Sequence, residues 1–567
     1  MNRRLAALIM IILCTFSCTV ENKGLPLKIG LSEEPRTLNI WFATDANSGK
    51  VLSLIYQPLY LRDPVSLKMV PWLAEQMPQF DPANLSYTVR LRHAKWSDGT
   101  DVTSEDIAFT GNLIKDFKIP RFRSRWEFIK RIETPDKRTV RFFLTRPKAV
   151  FLSRTLTTPI VQKRQWAKVV QKAAKSMKPL RALLNHHPED PVGCGPYMLK
   201  EWRQGAYVHM QRNRHFFGRG KTINGRLLGP HVNDLIFKIY GTTDVAILSL
   251  KKGSIDMSWW GIQPGYLDEL KEHKDIKVFL SEKSALYFMG FNLRRGPFDD
   301  ANLRRAVATL IDKDFIISRI LQGYAIKMHS VVPPGNRFWY CPDLPLYGEG
   351  LTAEARVKKA YHILKRSGYD WDLPPVDDNG NVVKANGLRL PGGKPMGRFT
   401  ILTPPADYDP HRAMCGMMIQ EWLRAFGMPA FARPMSFSSL LQQVKARHDF
   451  DLFILGYGRL SLDAGYLGVF FHSANDRERG WNMSGYNNPR FDRLAERSTG
   501  LMDINRRRDV ILEMQRIILG DVPYVPIYNP MISEAVRTDR FTGWVETLGG
   551  IGNIWSFCQV RAVEVTD

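Results

Sequence analysis

Apolar residues along the chain fall into short runs typical of strands and longer stretches with helical spacing. The run Leu27–Leu31 predicts a buried opening strand, and a polar loop over 32–47 leads into a helix that we expect to run toward Tyr60. Alternation over Ser86–Leu91 predicts a further strand. Strands followed by helices indicate an α/β layer.

In the second half, apolar residues recur every three or four positions in several stretches, most of which end at a glycine. They are 303–311, 357–364 before Gly368, 418–426 before Gly427, and 510–518 before Gly520. Glycine is suited to end a helix because it tolerates left-handed backbone. Short apolar strands are predicted at 451–455 and 525–528, so the pattern indicates a second α/β unit with the helix stripes in its core.

A tight turn and a helix start stand together in the first half. Trp96–Thr100 is typical of a turn in which Gly99 supplies the permissive backbone. Thr103 and Asp106 then have the spacing of a capping box, in which the two side chains satisfy free amides at a helix start.

The first residues resemble an export signal. Arg3 and Arg4 precede an apolar run, and small residues stand near position 17, so we expect a signal peptide over residues 1–17. No later stretch reaches the roughly 20 apolar residues of a membrane helix. Cys18 stands where bacterial lipoproteins carry their lipid, so the exported protein is either free or lipid-anchored in the periplasm or cell envelope.

Composition restricts the chemistry. The formal charge of +24 invites a polyanion partner, but the basic residues lie in ordinary mixed sequence, which favours solvated faces over lipid, polysaccharide or nucleic acid. No spaced nucleophile, base, metal-ligand set or phosphate loop is present, so we expect no enzyme, no cofactor and no metal. Beyond Cys14 and Cys18 the chain has four cysteines, for which disulfides and isolated buried thiols both stay open. They are Cys194, Cys341, Cys415 and Cys558.

A series of segments, in order over more than 450 residues, resembles the extracellular solute-binding proteins of family 5. This group contains the bacterial oligopeptide- and dipeptide-binding components of ABC importers. The segments are Glu34–Leu38, Pro71–Glu75, Trp96–Thr100, Thr103–Asp106, Pro191–Tyr197, Gly253–Asp256, Gly290–Asn292, Pro297–Asp300, Leu303–Ala306, Asp449–Leu452 and Gly485–Asp492.

The resemblance implies an α/β, two-lobed periplasmic-binding-protein (Venus-flytrap) fold of type II-like form, with an extra subdomain in the first lobe. The chain would cross between lobes near Tyr287–Asn292 and near Val525–Asn529. The implied division is 1–17 signal peptide, 18–57 lobe I, 58–182 extra subdomain, 183–286 lobe I, 287–528 lobe II, and 529–567 return to lobe I.

The implied function is capture of an oligopeptide or peptide-like solute in the cleft and delivery to a membrane ABC permease, by a protein that we expect to be a monomer. By resemblance, the contact loops map onto Thr44, Asp45 and Ala46 in the first lobe and onto Gly456, Tyr457 and Gly458 in the second.

Further candidates rest on position. Alternation along an extended segment would send either Trp259 or Trp260 toward the cleft, and Phe288 at the first crossing, beside Tyr287, is a similar candidate.

The peptide binders of the family hold the ligand's α-amino group with an aspartate, but ungapped alignment places Leu460 there. Asp463, three residues on, is the substitute that we consider. Alternatives stay open: a family member that binds a nickel complex, haem or a sugar, an envelope hydrolase, or a basic structural or chaperone-like envelope protein.

Overall fold

The computed structural model describes residues 24–259 and 261–564. The predicted signal peptide, Cys18 and Trp260 lie outside the described residues.

Strands of the N-terminal part are β1 Leu27–Leu31, β2 Tyr60–Arg62, β3 Met69–Pro71, β4 Gln79–Asp81, β5 Ser86–Arg90, β6 Ile129–Asp136, β7 Thr139–Leu144, β8 Tyr197–Arg203, β9 Tyr207–Arg212, β10 Thr222–Ile223, β11 Arg226–Leu227, β12 Asp234–Ile239, β13 Met257–Ser258 and β14 Ile276–Glu282. Those that follow are β15 Leu286–Phe291, β16 Ala325–Lys327, β17 Asp370–Leu373, β18 Asn386–Arg389, β19 Phe399–Thr403, β20 Ala430–Pro434, β21 Leu452–Tyr457, β22 Tyr524–Arg537, β23 Phe541–Thr542 and β24 Arg561–Ala562.

Helices are α1 Ala46–Ile55, α2 Ser104–Asp116, α3 Arg123–Trp126, α4 Lys163–Ala174, α5 Pro179–Leu184, α6 Thr243–Lys251, α7 Leu267–Glu272, α8 Ala301–Leu310, α9 Lys313–Phe315, α10 Ala353–Arg366, α11 Pro410–Ala425, α12 Phe437–Leu441, α13 Tyr466–Phe471, α14 Pro489–Gly500, α15 Ile504–Asp521 and α16 Ile554–Phe557. Short 3-10 or π-helical turns occupy Phe151–Thr155, Pro264–Tyr266, Ile316–Ile320, Gln442–Arg447 and Ser473–Asn475.

A 12-stranded sheet runs through the molecule in the order β20-β19-β21-β15-β22-β13-β1-β12-β9-β8, with β14 and β16 also paired to β22. Strand β22 is shared: its first half pairs with β15 and β16, and its second half pairs with β14 and β13. The partner changes between Pro530 and Met531. The two crossings predicted at 287–292 and 525–529 lie beside this change, within paired strands.

Buried apolar side chains form separate cores on either side of the point where β22 changes its strand partner. Residues 27–259 and 536–560 supply one large core, which we call lobe I. Residues 286–528 supply two further cores, which we call lobe II. The mixed α/β fold and its two lobes are therefore as predicted.

A second sheet of four strands, in the order β4-β5-β7-β6, adds to lobe I. Tyr87 of β5 stacks on Phe151 with ring centroids 4.5 Å apart, and Phe142 of β7 meets the same ring at 5.5 Å. These rings belong to the lobe I core, so the sheet is packed onto that lobe rather than tethered to it.

Most local predictions are confirmed. Strand β1 has the predicted bounds, and the Asp106 carboxylate accepts a hydrogen bond from the Thr103 amide at 2.9 Å, as a capping box requires. Gly368 and Gly427 have φ of +82° and +89° just past α10 and α11. The helix expected to run toward Tyr60 ends at Ile55, and the chain reaches Tyr60 as a strand.

The predicted end of the last long helix is wrong. Gly520 lies inside α15, and Val522 ends the helix with φ of +52°. Arg304 accounts for this end, because its guanidinium donates to the carbonyl oxygens of Asp521 and Val522 and fixes the last turn. A tertiary contact thus overrides the local preference for glycine.

The four cysteines in the described part of the chain are free and buried. Of the two alternatives left open by the sequence, disulfides or isolated buried thiols, the structure contains isolated buried thiols. Across 24–259 and 261–564, no helix has both the length and the apolar character needed to span a bilayer.

Candidate ligand-binding site between the lobes

The predicted first-lobe loop leads into helix α1. Asp45 is the residue before α1, and its Oδ1 accepts the Ser48 amide at 2.7 Å, which satisfies a free donor at the helix start. Thr44 and Ala46 on either side are exposed. The loop is therefore held rigidly while its flanking residues remain open to solvent.

The predicted second-lobe loop ends strand β21. Gly456 faces Tyr287 of β15, and a Cβ at position 456 would lie 2.5 Å from the Tyr287 ring, so glycine is required there. Tyr457 stacks on Phe288 and Phe470 at 5.3 and 4.3 Å and belongs to the lobe II core. Gly458 is exposed, and a Cβ at position 458 would have no neighbouring atom within 4 Å.

Arg121 connects these two loops. Its Nη1 donates to the Ile40 carbonyl at 3.3 Å, close to the first loop. Burial lowers the Arg121 pKa, the charge of Arg459 lowers it further, and Asp45 raises it. Because Arg459 directly follows Gly458, residues at both predicted loops act electrostatically on Arg121.

The predicted aromatic walls are buried instead. Trp259 is 6% exposed and packs on Phe237 and Phe557, with ring centroids 6.0 and 5.1 Å apart. Phe288 is 0% exposed and stacks on Tyr524 at 4.1 Å. Both rings are packed in the interior of the protein, and neither offers a free face to a solute.

The Asp463 carboxylate already forms an ion pair with Arg507 of its own lobe. Its two oxygens accept hydrogen bonds of 2.7 Å from Arg507, and both side chains are almost fully buried. Ser153 of lobe I donates to the same carboxylate at 3.3 Å. Leu460, where the family's aspartate would stand, is buried and donates its amide to the Ser284 carbonyl at 2.5 Å.

A group of polar side chains near the change of strand partner was not predicted. We call Lys50, Ser258, Ser284, Asn529 and Glu534 the polar floor. Lys50 Nζ donates to the Trp259 carbonyl, and Asn529 Nδ2 donates to the Lys283 carbonyl at 2.7 Å.

Several atoms of the polar floor are buried without a hydrogen-bond partner in the described part of the chain. They are Ser258 Oγ, Ser284 Oγ, Asn529 Oδ1 and Glu534 Oε1. Buried polar atoms are nearly always paired, by water or a ligand where the protein offers nothing. The floor therefore holds buried polar atoms whose hydrogen-bonding capacity is not used by the described part of the chain.

Charge on the polar floor is strongly perturbed. Burial raises the Glu534 pKa to about 7, against backbone hydrogen bonds and the charge of Lys50. Burial likewise lowers the Lys50 pKa to about 8, and Glu534 partly offsets this. The sequence signal for the floor is Glu534, a carboxylate in the largely buried strand β22, which is an unusual position for a charge.

No group of three or more His, Cys, Asp or Glu side chains suited to a metal occurs among residues 24–259 and 261–564. What the arrangement offers a solute is hydrogen bonds and charge.

Comparison with known proteins agrees with this geometry. The family model "Bacterial extracellular solute-binding proteins, family 5 Middle" matches residues 68–478. The oligopeptide-binding protein AppA of Bacillus subtilis is 25% identical over 518 residues, which cover 90% of this chain and 87% of that one.

Two solved structures share the fold. AppA of Bacillus subtilis in complex with a nonapeptide has a TM-score of 0.64 at 22% identity, covering 96% of this chain and 99% of that one. HbpA2 of Haemophilus parasuis has a TM-score of 0.77 at 19% identity, covering 95% of this chain and 100% of that one.

Proposed function

Because the chain belongs to the bacterial extracellular solute-binding proteins of family 5, we propose that it captures oligopeptides or peptide-like solutes between its lobes and delivers them to an ABC importer. The observation that supports the proposal is that residues beside two loops, one from each lobe, act electrostatically on the same arginine, Arg121. A relative of similar length, AppA, is an oligopeptide-binding protein and was solved with a nonapeptide.

The proposed mechanism is closure over the solute. A ligand that contacts both lobes favours the closed state, because only that state offers all its contacts at once. Backbone groups at Thr44–Ala46 and at the exposed end of β21 would pair with an extended peptide, while its side chains extend into open space. Gly458 suits this role, since it leaves the backbone uncovered.

The site residues are reassigned within this proposal. Thr44, Asp45, Ala46 and Gly458 are the contacts. Tyr457, Phe288 and Trp259 are the packed layer behind them. We also propose the division into lobe I at 18–57 and 183–286, its extra subdomain at 58–182, lobe II at 287–528 and a return at 529–567. The separate cores support the separation of lobe I from lobe II within this division.

We place the protein outside the cytoplasmic membrane, as a monomer in the periplasm or cell envelope that docks on a membrane permease. The export signal predicted over 1–17 supports this placement, and Cys18 would anchor the protein if it is lipid-modified.

A cleft-filling variant tests the proposal. Gly458→Trp adds bulk where nothing lies within 4 Å and φ is ordinary, so the protein should fold normally yet lose solute binding. Gly397→Trp is the matched control in the same lobe, because Gly397 is equally exposed and open. It precedes β19, which runs parallel to β21, so it lies at the end of the sheet opposite to Gly458.

The measurements are native mass spectrometry of protein purified from its own host, titration calorimetry with tri- to nonapeptides, and small-angle X-ray scattering. We expect a co-purified small ligand and ligand-dependent compaction in the wild type and in Gly397→Trp, and neither in Gly458→Trp. A wild-type protein that carries no small ligand, binds no peptide and keeps one radius of gyration would contradict the proposal.

A further inference from the structure

Basic side chains from both lobes face one another at the mouth of the site. Arg121 and Arg125 flank the Phe122 ring, with their guanidinium carbons 5.1 and 5.6 Å from its centroid. Arg154 lies in the adjoining turn Phe151–Thr155, which contacts α3, and Arg459 follows Gly458 in lobe II. We call these four side chains the arginine cluster.

Like charge dominates the arginine cluster. Burial lowers the Arg125 pKa to about 10, and the charges of Arg154, Arg121 and Arg459 each lower it further. Arg459 belongs to the opposite lobe, so positive charge from lobe II acts on an arginine of lobe I.

Acidic counter-charges around the arginine cluster are few. The charge of Asp45 raises the Arg121 pKa, and the charge of Glu127 raises the pKa of the neighbouring Lys148. Asp463 is already paired with Arg507 through two hydrogen bonds. The surrounding basic groups are Arg62, Arg146, Lys148 and Arg507.

A purely structural network would balance these charges. Arg507 shows what such balance looks like, with two hydrogen bonds of 2.7 Å to one carboxylate. Within residues 24–259 and 261–564, Arg125, Arg154 and Arg459 have no ion-pair partner. Their charge is therefore uncompensated by the protein itself.

The same edge is where the lobes touch. Ser153, beside Arg154, donates to Asp463 of lobe II at 3.3 Å, and the Ala149 amide donates to the Thr499 carbonyl at 3.0 Å. Any closing motion is therefore coupled to the distance between Arg459 and the three arginines of lobe I. Without an anion between them, closure gathers like charges in a cleft that screens them poorly.

Resting on the proposed function, we propose that the solute is anionic: it presents a carboxylate to Arg121, Arg125, Arg154 and Arg459, and that charge permits the lobes to close. Arginine suits this role because its planar guanidinium pairs with carboxylates through two hydrogen bonds. A solute without a carboxylate does not relieve the repulsion between the arginines of the two lobes. The arginine cluster would therefore both select the solute by charge and control closure.

Peptides that differ only in charge test this inference by titration calorimetry. The probes are Ala-Glu-Glu-Ala, Ala-Gln-Gln-Ala, Ala-Lys-Lys-Ala, and the C-terminal amides of the first two. We expect the Glu peptide to bind about tenfold more tightly than the Gln peptide, a difference that shrinks as salt is added. The amides show whether a side-chain or a terminal carboxylate supplies the charge.

Variants supply the second readout. Arg459→Gln and Arg125→Gln should bring the Glu-to-Gln affinity ratio toward one and should make the unliganded protein more compact in small-angle X-ray scattering. Arg219→Gln, an exposed arginine of lobe I outside the cluster, should change neither quantity. Urea unfolding of each variant establishes that it is folded.

Two results would overturn different claims. If the Glu and Gln peptides bind equally and Arg459→Gln changes neither the ratio nor the compaction, the charge inference is overturned while peptide capture stands. If no peptide of any charge binds the wild type and its compactness never changes, the proposed function fails as well.

Discussion

Replacement of Asp463 separates a structural carboxylate from a ligand anchor. In the native protein Asp463 and Arg507 are 4% and 1% exposed at their side chains and share two hydrogen bonds of 2.7 Å. Asp463→Ala leaves the Arg507 guanidinium with the Ser498 carbonyl at 2.9 Å and the Trp339 ring at 4.9 Å. Removal of one partner from a buried ion pair costs about 3–5 kcal/mol, and we expect a loss in that range.

The assay is urea unfolding at neutral pH, followed by tryptophan fluorescence. Asp370→Ala is the matched control, because Asp370 pairs with Lys365 at 2.8 Å on the open surface, where the change should be near the experimental error. Peptides with free and acetylated amino termini should keep the same affinity ratio in wild type and Asp463→Ala.

The pH dependence has a definite sign. Burial alone would raise the Asp463 pKa, but hydrogen bonds and charge from Arg507 hold it below its ordinary value. A depressed folded-state pKa gives stability that is present at neutral pH and is lost as pH falls through that pKa. The stability difference between wild type and Asp463→Ala should therefore shrink in acid. A small destabilisation joined to selective loss of free-amino peptides would refute the structural role.

Three other properties follow from buried groups. Burial raises the Glu534 pKa from 4.5 to about 7, so between these two pH values the folded protein keeps a proton that the unfolded chain loses. The free energy of unfolding should therefore fall by up to about 3 kcal/mol as pH rises from 4.5 to about 7. Glu534→Gln should make the free energy of unfolding less dependent on pH in this range. Gly193→Ala should lower the melting temperature sharply, because its Cβ would overlap the Ile55 carbonyl oxygen, whereas Gly397→Ala should not. Thiols should resist alkylation in the native protein and react after unfolding without reductant, a pattern that a disulfide would abolish. These thiols are Cys194, Cys341, Cys415 and Cys558.

Local signals in the sequence predicted the fold well where local physics decides it. The run Leu27–Leu31 and the helix ends at Gly368 and Gly427 depend on side-chain pattern and on backbone freedom within a few residues. The end of α15 depends instead on Arg304, more than 200 positions away, which fixes the carbonyls beside Val522. The residues close to Gly520 in the sequence therefore do not reveal the contact with Arg304.

The site was predictable only in part, for the same reason. Resemblance places the contact loops at Thr44–Ala46 and Gly456–Gly458, and their role in binding stays a prediction. It could not show that Arg507, 44 positions on, already occupies Asp463, or that Trp259 turns its ring to the core. The polar floor combines segments hundreds of residues apart, which only the folded sheet brings together.

The shared strand explains why the polar floor matters for motion. Strand β22 stays paired on both sides of the change between Pro530 and Met531, so the lobes are joined by hydrogen-bonded sheet and not by free linkers. Stacking of Tyr287 on Tyr528 at 4.7 Å adds a side-chain contact between β15 and β22. Asn529 and Ser284, which hold unpaired buried oxygens, lie at the same point. If the proposed solute hydrogen-bonds there, it contacts the strand that joins the lobes, so its binding would act on lobe orientation directly.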